Sequence, residues 1–247
     1  MSISFPNVPV ISVPMSYVCA LIGKHQYKDL WYESINVFRR YNTPHRKPTL
    51  QDENESPLYK DLQTNHTSFF EKFINSVKIE HLQNEADTIV KDLCKKHKMP
   101  YYRHRMLLTK RRGYVLEKTA LKIYAQQNKI EVLPVDKRIV FLSKEKTSFV
   151  SSNEGAYCRL VGQADGIDSL GRILEVKCRR SGFREFFFER VQLATYVIAY
   201  DKPGVLVEFY EGKLRCTDMS KDEAEKIWSN IFPAMIAWNN LVRHFMN

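Results

Sequence analysis

Apolar residues recur at mostly helical spacing over 67–97, through Phe70, Phe73, Ile74, Val77, Leu82, Ile89, Val90 and Leu93, and that period predicts helix. The stretch 109–128 repeats it, with Leu116, Ala120, Ile123 and Tyr124 as the buried stripe. The texture then changes. "EVLPV", "RIVFLS", "YCRLVGQADGI" and "GRILEVKC" are rich in β-branched residues and separated by turn signals, which predicts strands. Helix returns at 184–199, strand at "GVLVEFYE" and "KLRCTDM", and helix at 220–245, where Pro233 predicts a kink or a split.

Ahead of these, residues 1–13 read as extended, since Pro6, Pro9 and Pro14 block helix. Ser16 is placed to cap a helix ending near Gly23, and a second helix is expected over 29–40. Residues 42–66 are polar and proline-punctuated, and read as a loop. The order of elements predicts an α/β fold, with a central mixed β-sheet flanked by helices. The expected division is an N-terminal helical region over 1–108, packed on a core over 109–247.

Composition narrows the function. Of 247 residues, 44% are hydrophobic, enough for a packed core. The net charge of +10 favours polyanions, nucleic acid ahead of an anionic membrane face. The plainer alternative is charge kept for solubility. Five scattered cysteines without a CxxC pair argue against a zinc ribbon or a cysteine-bound cluster. They fit a reduced intracellular setting, cytoplasm or nucleus, rather than secretion. The start of the chain reads poorly as a signal peptide, and no apolar run is long enough to span a bilayer. Histidine groupings of the HxH or HExxH kind are missing, as is a P-loop, which disfavours zinc hydrolysis and ATP-driven action.

The candidate chemistry lies in "VGQADGIDSLGRILEVKC", residues 161–178. Strand side chains alternate faces, so Glu175 and Lys177 point one way and Leu174, Val176 and Cys178 the other. The turn "DSLG" folds the chain back and brings Asp165, on the first arm, near Glu175. Two carboxylates that close repel each other unless a cation lies between them. A hard divalent ion such as Mg²⁺ fits, with the Val176 carbonyl as an extra ligand. Lys177 then stands where it can orient water or offset charge on a phosphate. That is equipment for metal-assisted phosphodiester hydrolysis. The alternative is an ordinary hairpin with a surface Glu–Lys pair.

Other stretches bear on the choice. "GYVLE" puts Gly113 and Glu117 on one helical face. Gly113 permits close backbone approach, and Glu117 can add a third carboxylate; its alternative is a solvated helix residue. "QLATY" pairs Gln192 with Tyr196 in the same way, and Gln192 can hydrogen-bond an attacking water or a phosphate. The basic and aromatic run 95–114 includes Arg111 and Arg112, and "KCRRSGFRE" adds Arg179, Arg180 and Arg184 beside Lys177. These are candidate phosphate contacts, or else solvated basic faces.

Helix Glu, strand Asp, the E-x-K strand and helix Gln, in that order, resemble the PD-(D/E)XK nuclease superfamily. "GYVLEKTALKIY", "GQADGI", "ILEVKC" and "ERVQLATYVIA" are similar to motifs of its lambda-exonuclease-like viral recombinase group, as is the opening "MSYVCALIGKHQYKD" through Ser16, Gly23 and Tyr27. The resemblance implies a restriction-endonuclease-like core and a Mg²⁺-dependent DNase, with Mn²⁺ as substitute. It implies a catalytic set of Glu117, Asp165, Glu175 and Lys177 assisted by Gln192, and DNA contacts at Ser16 and Tyr196. It further implies 5′ to 3′ digestion of duplex ends in recombination or replication. A single-strand annealing protein and self-association into a ring enter as partners by resemblance only; no membrane role is implied. The chain departs from the pattern at Ala164, where Pro is usual. It departs again in residues 1–15, which lack the Arg that often helps hold a 5′-phosphate.

Overall fold

A computed structural model describes the backbone of residues 11–26, 28–30, 32–35, 37, 57–76, 82–98, 101–143, 149–150 and 156–246. Strand β1 (Ile11–Pro14) leads into a 3-10 turn, Met15–Tyr17, and the short helix α1 (Val18–Leu21). Helices α2 (Pro57–Asn65), α3 (Thr67–Asn75), α4 (Gln83–Lys96) and α5 (Tyr101–Asn128) follow. Next come β2 (Val132–Leu133), β3 (Arg138–Ser143), β4 (Phe149–Val150), β5 (Ala156–Gly162), β6 (Gly166–Asp168) and β7 (Ile173–Cys178). Helix α6 (Phe187–Tyr200), strands β8 (Gly204–Tyr210) and β9 (Lys213–Met219), and helix α7 (Lys221–Met246) complete the order.

The α/β class holds, with two sheets where one was expected. A five-stranded mixed sheet runs β2-β6-β7-β8-β9, with β7 parallel to β8 and the other pairs antiparallel. A four-stranded sheet runs β1-β5-β3-β4, with β1 parallel to β5. The stretch read as one strand, "YCRLVGQADGI", is broken at 163–165 where the chain passes from one sheet to the other. Glycines bracket the break for a packing reason. A Cβ on Gly162 would stand 2.8 Å from both Met15 Sδ and Tyr196 Cε1, and one on Gly166 would stand 2.9 Å from Val132 Cγ1. In the break, side chains replace ladder partners: Gln163 Nε2 donates to the Val135 carbonyl (2.9 Å) and the Ala164 amide to the Tyr200 hydroxyl (3.4 Å).

Strand β8 is buried along nearly its whole length because helices cover both faces of the larger sheet. Helix α5 packs Leu116, Ala120 and Tyr124 onto Leu174, Val176, Val205, Val207 and Phe209. On the other face, Leu193, Ala194 and Val197 of α6 meet Leu206 and Met219, and α7 lies over α6. Helices α2 to α4 share a separate apolar cluster, with Leu62, Phe70, Phe73, Val90 and Leu93 at its centre and Leu108 reaching in from α5. The division expected at residue 108 thus falls inside α5.

Three local expectations are corrected. Part of the polar stretch 42–66 is helix α2: Pro57 opens it, a first-turn position where its missing N–H costs nothing, and Leu62 is fully buried. Asp61 then accepts from Lys96 Nζ (2.7 Å) and pairs with His97 Nε2 (2.7 Å). Lys96, with Asn65 and His97, holds that carboxyl well below the usual carboxylate range. Ser16 lies exposed in the 3-10 turn and makes no capping bond; the segment ends at Gly23 with φ +69°. Helix α7 runs unbroken through Pro233, because Ile231, Phe232, Met235 and Trp238 are buried on both sides of it. The helix expected over 29–40 is present at 30, 32–35 and 37; Tyr27 and residues 1–10 and 38–56 lie outside the described residues.

One buried polar cluster fixes the β6–β7 turn. Asp168 Oδ1 accepts from the amides of Leu170 (3.1 Å) and Arg172 (2.8 Å), and Oδ2 accepts from Arg172 Nε (2.8 Å) and the Tyr124 hydroxyl (3.0 Å). Arg172 Nη2 in turn donates to Tyr124 Oη (2.8 Å). Tyr124→Phe removes a donor from a buried carboxylate, so it should cost about 1–3 kcal/mol, read by urea denaturation.

Candidate active site

The face of β7 opposite α5 carries the chemistry. Alternation turns Leu174 and Val176 into the α5 core and Glu175 and Lys177 towards α6. Glu175 is buried at 3% exposure, and its Oε1 accepts from Lys177 Nζ. Lys177 also donates to Gln192 Oε1 on α6 (3.3 Å), and Gln192 Nε2 reaches the Tyr196 hydroxyl (3.4 Å). Strand E-x-K and helix Gln, 15 residues apart in the chain, therefore meet through the ammonium group.

Asp165 arrives from the sheet-to-sheet break. Its amide donates to the Leu174 carbonyl (3.0 Å), and its Oδ2 accepts from the Val176 amide (2.6 Å). The hairpin thus sets Asp165 beside Glu175, as the "DSLG" turn predicts. Val176, expected to offer its carbonyl, is engaged here through its N–H.

The electrostatics tie Glu117 to the same place. Burial, and then the Glu117 charge, push the Asp165 carboxyl up to about 6. Burial pushes Glu175 up, with Lys177 opposing and Asp165 adding to the rise. Glu117, half-buried on α5, is raised by burial and by Glu175. Burial works against the Lys177 charge, but the Glu175 carboxylate and its hydrogen bond hold the ammonium above its ordinary value. Carboxylates from α5, the break and β7 thus raise one another's pKa while Lys177 opposes the rise. Among the described residues, no three His, Cys, Asp or Glu side chains stand close enough together to hold a metal ion. The donor chemistry nonetheless suits a hard divalent cation: all oxygen, three acids, and mutual repulsion that such an ion relieves.

The candidate arginines divide. Arg112 is buried at 5% exposure, its Nε and Nη2 donating to the Ser76 carbonyl (3.3 and 3.1 Å), so it ties α5 to the end of α3. Arg179 forks onto Glu189 of α6 through Nη1 and Nη2 (2.6 and 2.7 Å) and reaches Glu208 of β8 through Nε (2.7 Å). Both are corrections to the reading of a phosphate contact, because their guanidinium groups are committed inside the protein. Arg111 and Arg180 are half-buried, and Arg184 is exposed with its guanidinium 4.9 Å over the Phe186 ring. Tyr196 is buried, and its hydroxyl pKa is raised by that burial. Sequence reading missed Glu189 and Glu208, whose only signal was an acid within an apolar helix turn and an acid inside the apolar run "GVLVEFYE".

No protein-family model matches the chain, and no curated protein does. Among solved structures it resembles an alkaline exonuclease, LHK-Exo, from Laribacter hongkongensis, with TM-score 0.50 and 10% identity over 96% of this chain and 92% of that one. The chain has a restriction-endonuclease-like α/β fold, a five-stranded mixed sheet flanked by helices. LHK-Exo in complex with dAMP matches with TM-score 0.41 and 12% identity, over 72% and 89% of the two chains. SSO0001 matches with TM-score 0.35 and 13% identity, over 71% and 83%. The likeness is one of fold; the nuclease superfamily and its viral recombinase group rest on the sequence motifs. Among the described residues no helix is long and apolar enough to cross a membrane.

Proposed function

We propose that this chain is a metal-dependent deoxyribonuclease that hydrolyses DNA phosphodiester bonds, working 5′ to 3′ on duplex ends in recombination or replication. What supports the reading is Asp165 bonded to the strand that carries Glu175, with Lys177 bonded to Glu175 and Gln192 and the Glu117 charge acting on the Asp165 carboxyl. The basic balance of +10 suits a polyanionic substrate.

Asp165, Glu175 and Glu117 are the residues that would hold Mg²⁺, or Mn²⁺ in its place. Bound there, such an ion supplies Lewis acidity to the phosphate and lowers the pKa of a water. The rest belongs to the chain. Lys177, aimed by Glu175 and Gln192, presents a fixed positive charge where charge grows on the phosphate. Gln192 holds that ammonium with one amide atom and Tyr196 with the other, so α6 and β7 keep a common geometry. The Val176 amide fixes the rotamer of Asp165.

End-labelled linear duplex, with and without a 5′-phosphate, tests this in Mg²⁺ against EDTA. The expected result is metal-dependent release of nucleotides from the labelled 5′ end, with covalently closed circular DNA left intact. Nicking of the circle would make the enzyme an endonuclease. A second reading, a DNA-binding module without turnover, draws on the spacing of the three acids, which do not form a ready ion cage. DNA binding with no cleavage in Mg²⁺ or Mn²⁺ would establish it.

A further inference from the structure

A glycine well inside a helix needs a reason. Gly113 lies in the interior of α5, helical on both sides, where glycine is disfavoured against alanine. Two reasons within a protein usually keep it. One is a backbone angle that only glycine adopts, and Gly113 is not among the positive-φ glycines. The other is a neighbour too close for a side chain. At Gly204 a Cβ would stand 2.7 Å from Val197 Cγ2, but at Gly113 no described heavy atom lies within 4 Å of where a Cβ would be. Packing among the described residues therefore does not ask for glycine here.

The open space adjoins the acidic site. The Gly113 carbonyl faces Cys178 Sγ at 3.7 Å, and burial, then the Glu117 and Asp165 charges, push that thiol's pKa up. Glu117 is one helical turn further along α5 on the same face. Tyr114, the next residue, is 44% exposed.

We propose that Gly113 is a clearance position for substrate: the sugar-phosphate backbone of the cleaved DNA strand lies against α5 there, with the Tyr114 ring beside it, on its way to Asp165 and Glu175. This inference rests on the nuclease reading. Helix propensity is given up at one residue to let a polyanion approach the helix backbone closely.

The test sets stability against binding. Gly113→Ala, Gly113→Leu and Tyr114→Ala are compared with wild type and with Gln126→Leu, an exposed position at the far end of α5. Readouts are Tm, affinity for a short fluorescein-labelled duplex in Ca²⁺, and cleavage in Mg²⁺. Gly113→Ala should raise Tm by about 2–4 °C yet weaken DNA binding by about three- to tenfold, and Gly113→Leu should weaken it by about a hundredfold. Tyr114→Ala should lose about five- to tenfold in affinity, and Gln126→Leu none. Wild-type affinity and cleavage in both Gly113 variants would overturn the inference and leave the nuclease reading standing. A wild-type protein that does not cleave DNA would remove both.

Discussion

Asp165→Asn should abolish DNA cleavage and make the protein in EDTA harder to melt. The two effects have one cause. Burial and the Glu117 charge hold the folded-state pKa of Asp165 at about 6, above its unfolded value of 3.8. A raised folded pKa means that the native state favours the protonated form. Stability from this group is therefore complete below about 4 and is lost as pH rises through about 6. Near neutral pH the charged carboxylate costs about 2–3 kcal/mol as an upper figure. Asparagine removes that cost while keeping an oxygen to accept from the Val176 amide. Thermal unfolding in EDTA should show a gain at neutral pH that fades as pH is lowered towards 4. Cleavage in Mg²⁺ should fall by at least about a thousandfold, since an anionic donor to the cation is gone. A variant that keeps full cleavage would remove Asp165 from the site. One with no gain in Tm would show that the acids are not strained against each other.

The same residue marks how far the sequence could be read. Period 2 in "ILEVKC" was enough to place Glu175 and Lys177 on one face, because an interior strand with helices on both sides leaves side chains only two directions. The "DSLG" turn was enough to bring Asp165 back to that strand, because Asp168 binds the turn's own amides. What local pattern did not carry was long-range. The break at 163–165 depends on Met15 of the 3-10 turn, Val132 and Val135 at β2 and just after it, and Tyr196 and Tyr200 of α6. The unbroken α7 depends on apolar burial overriding a proline's local preference. Helix α2 was hidden in a polar stretch because Asp61, which anchors it, finds its ionic partners on α4 and just beyond it. Arginine carried the least information: Arg111, Arg112, Arg179, Arg180 and Arg184 read alike in sequence, and only the fold sorts a buried tie from an exposed cation.

That sorting makes the largest stability prediction. Arg179→Ala should cost about 3–5 kcal/mol of unfolding free energy, the range for breaking a buried ion pair from one side. Glu208 is 0% exposed and Glu189 3%, so neither carboxylate can turn to water. Glu208 would retain Arg215, but Glu189 would keep only the Phe186 amide among the partners described (3.2 Å). Arg179→Lys should recover little, because one ammonium cannot reproduce a fork onto Glu189 together with a bond to Glu208. Cleavage should fall too. Glu189 acts on the charges of both Glu175 and Lys177, and it sits on the same helix as Gln192. Arg184→Ala is the counterpart: exposed and paired with no acid through its guanidinium among the described ion pairs, it should leave stability within about 0.5 kcal/mol while weakening DNA affinity at low salt. Urea denaturation and duplex binding, measured on both variants, separate the two roles. If Arg179→Ala unfolded like wild type, the buried tie between β7, α6 and β8 would not be what holds Gln192 opposite Lys177.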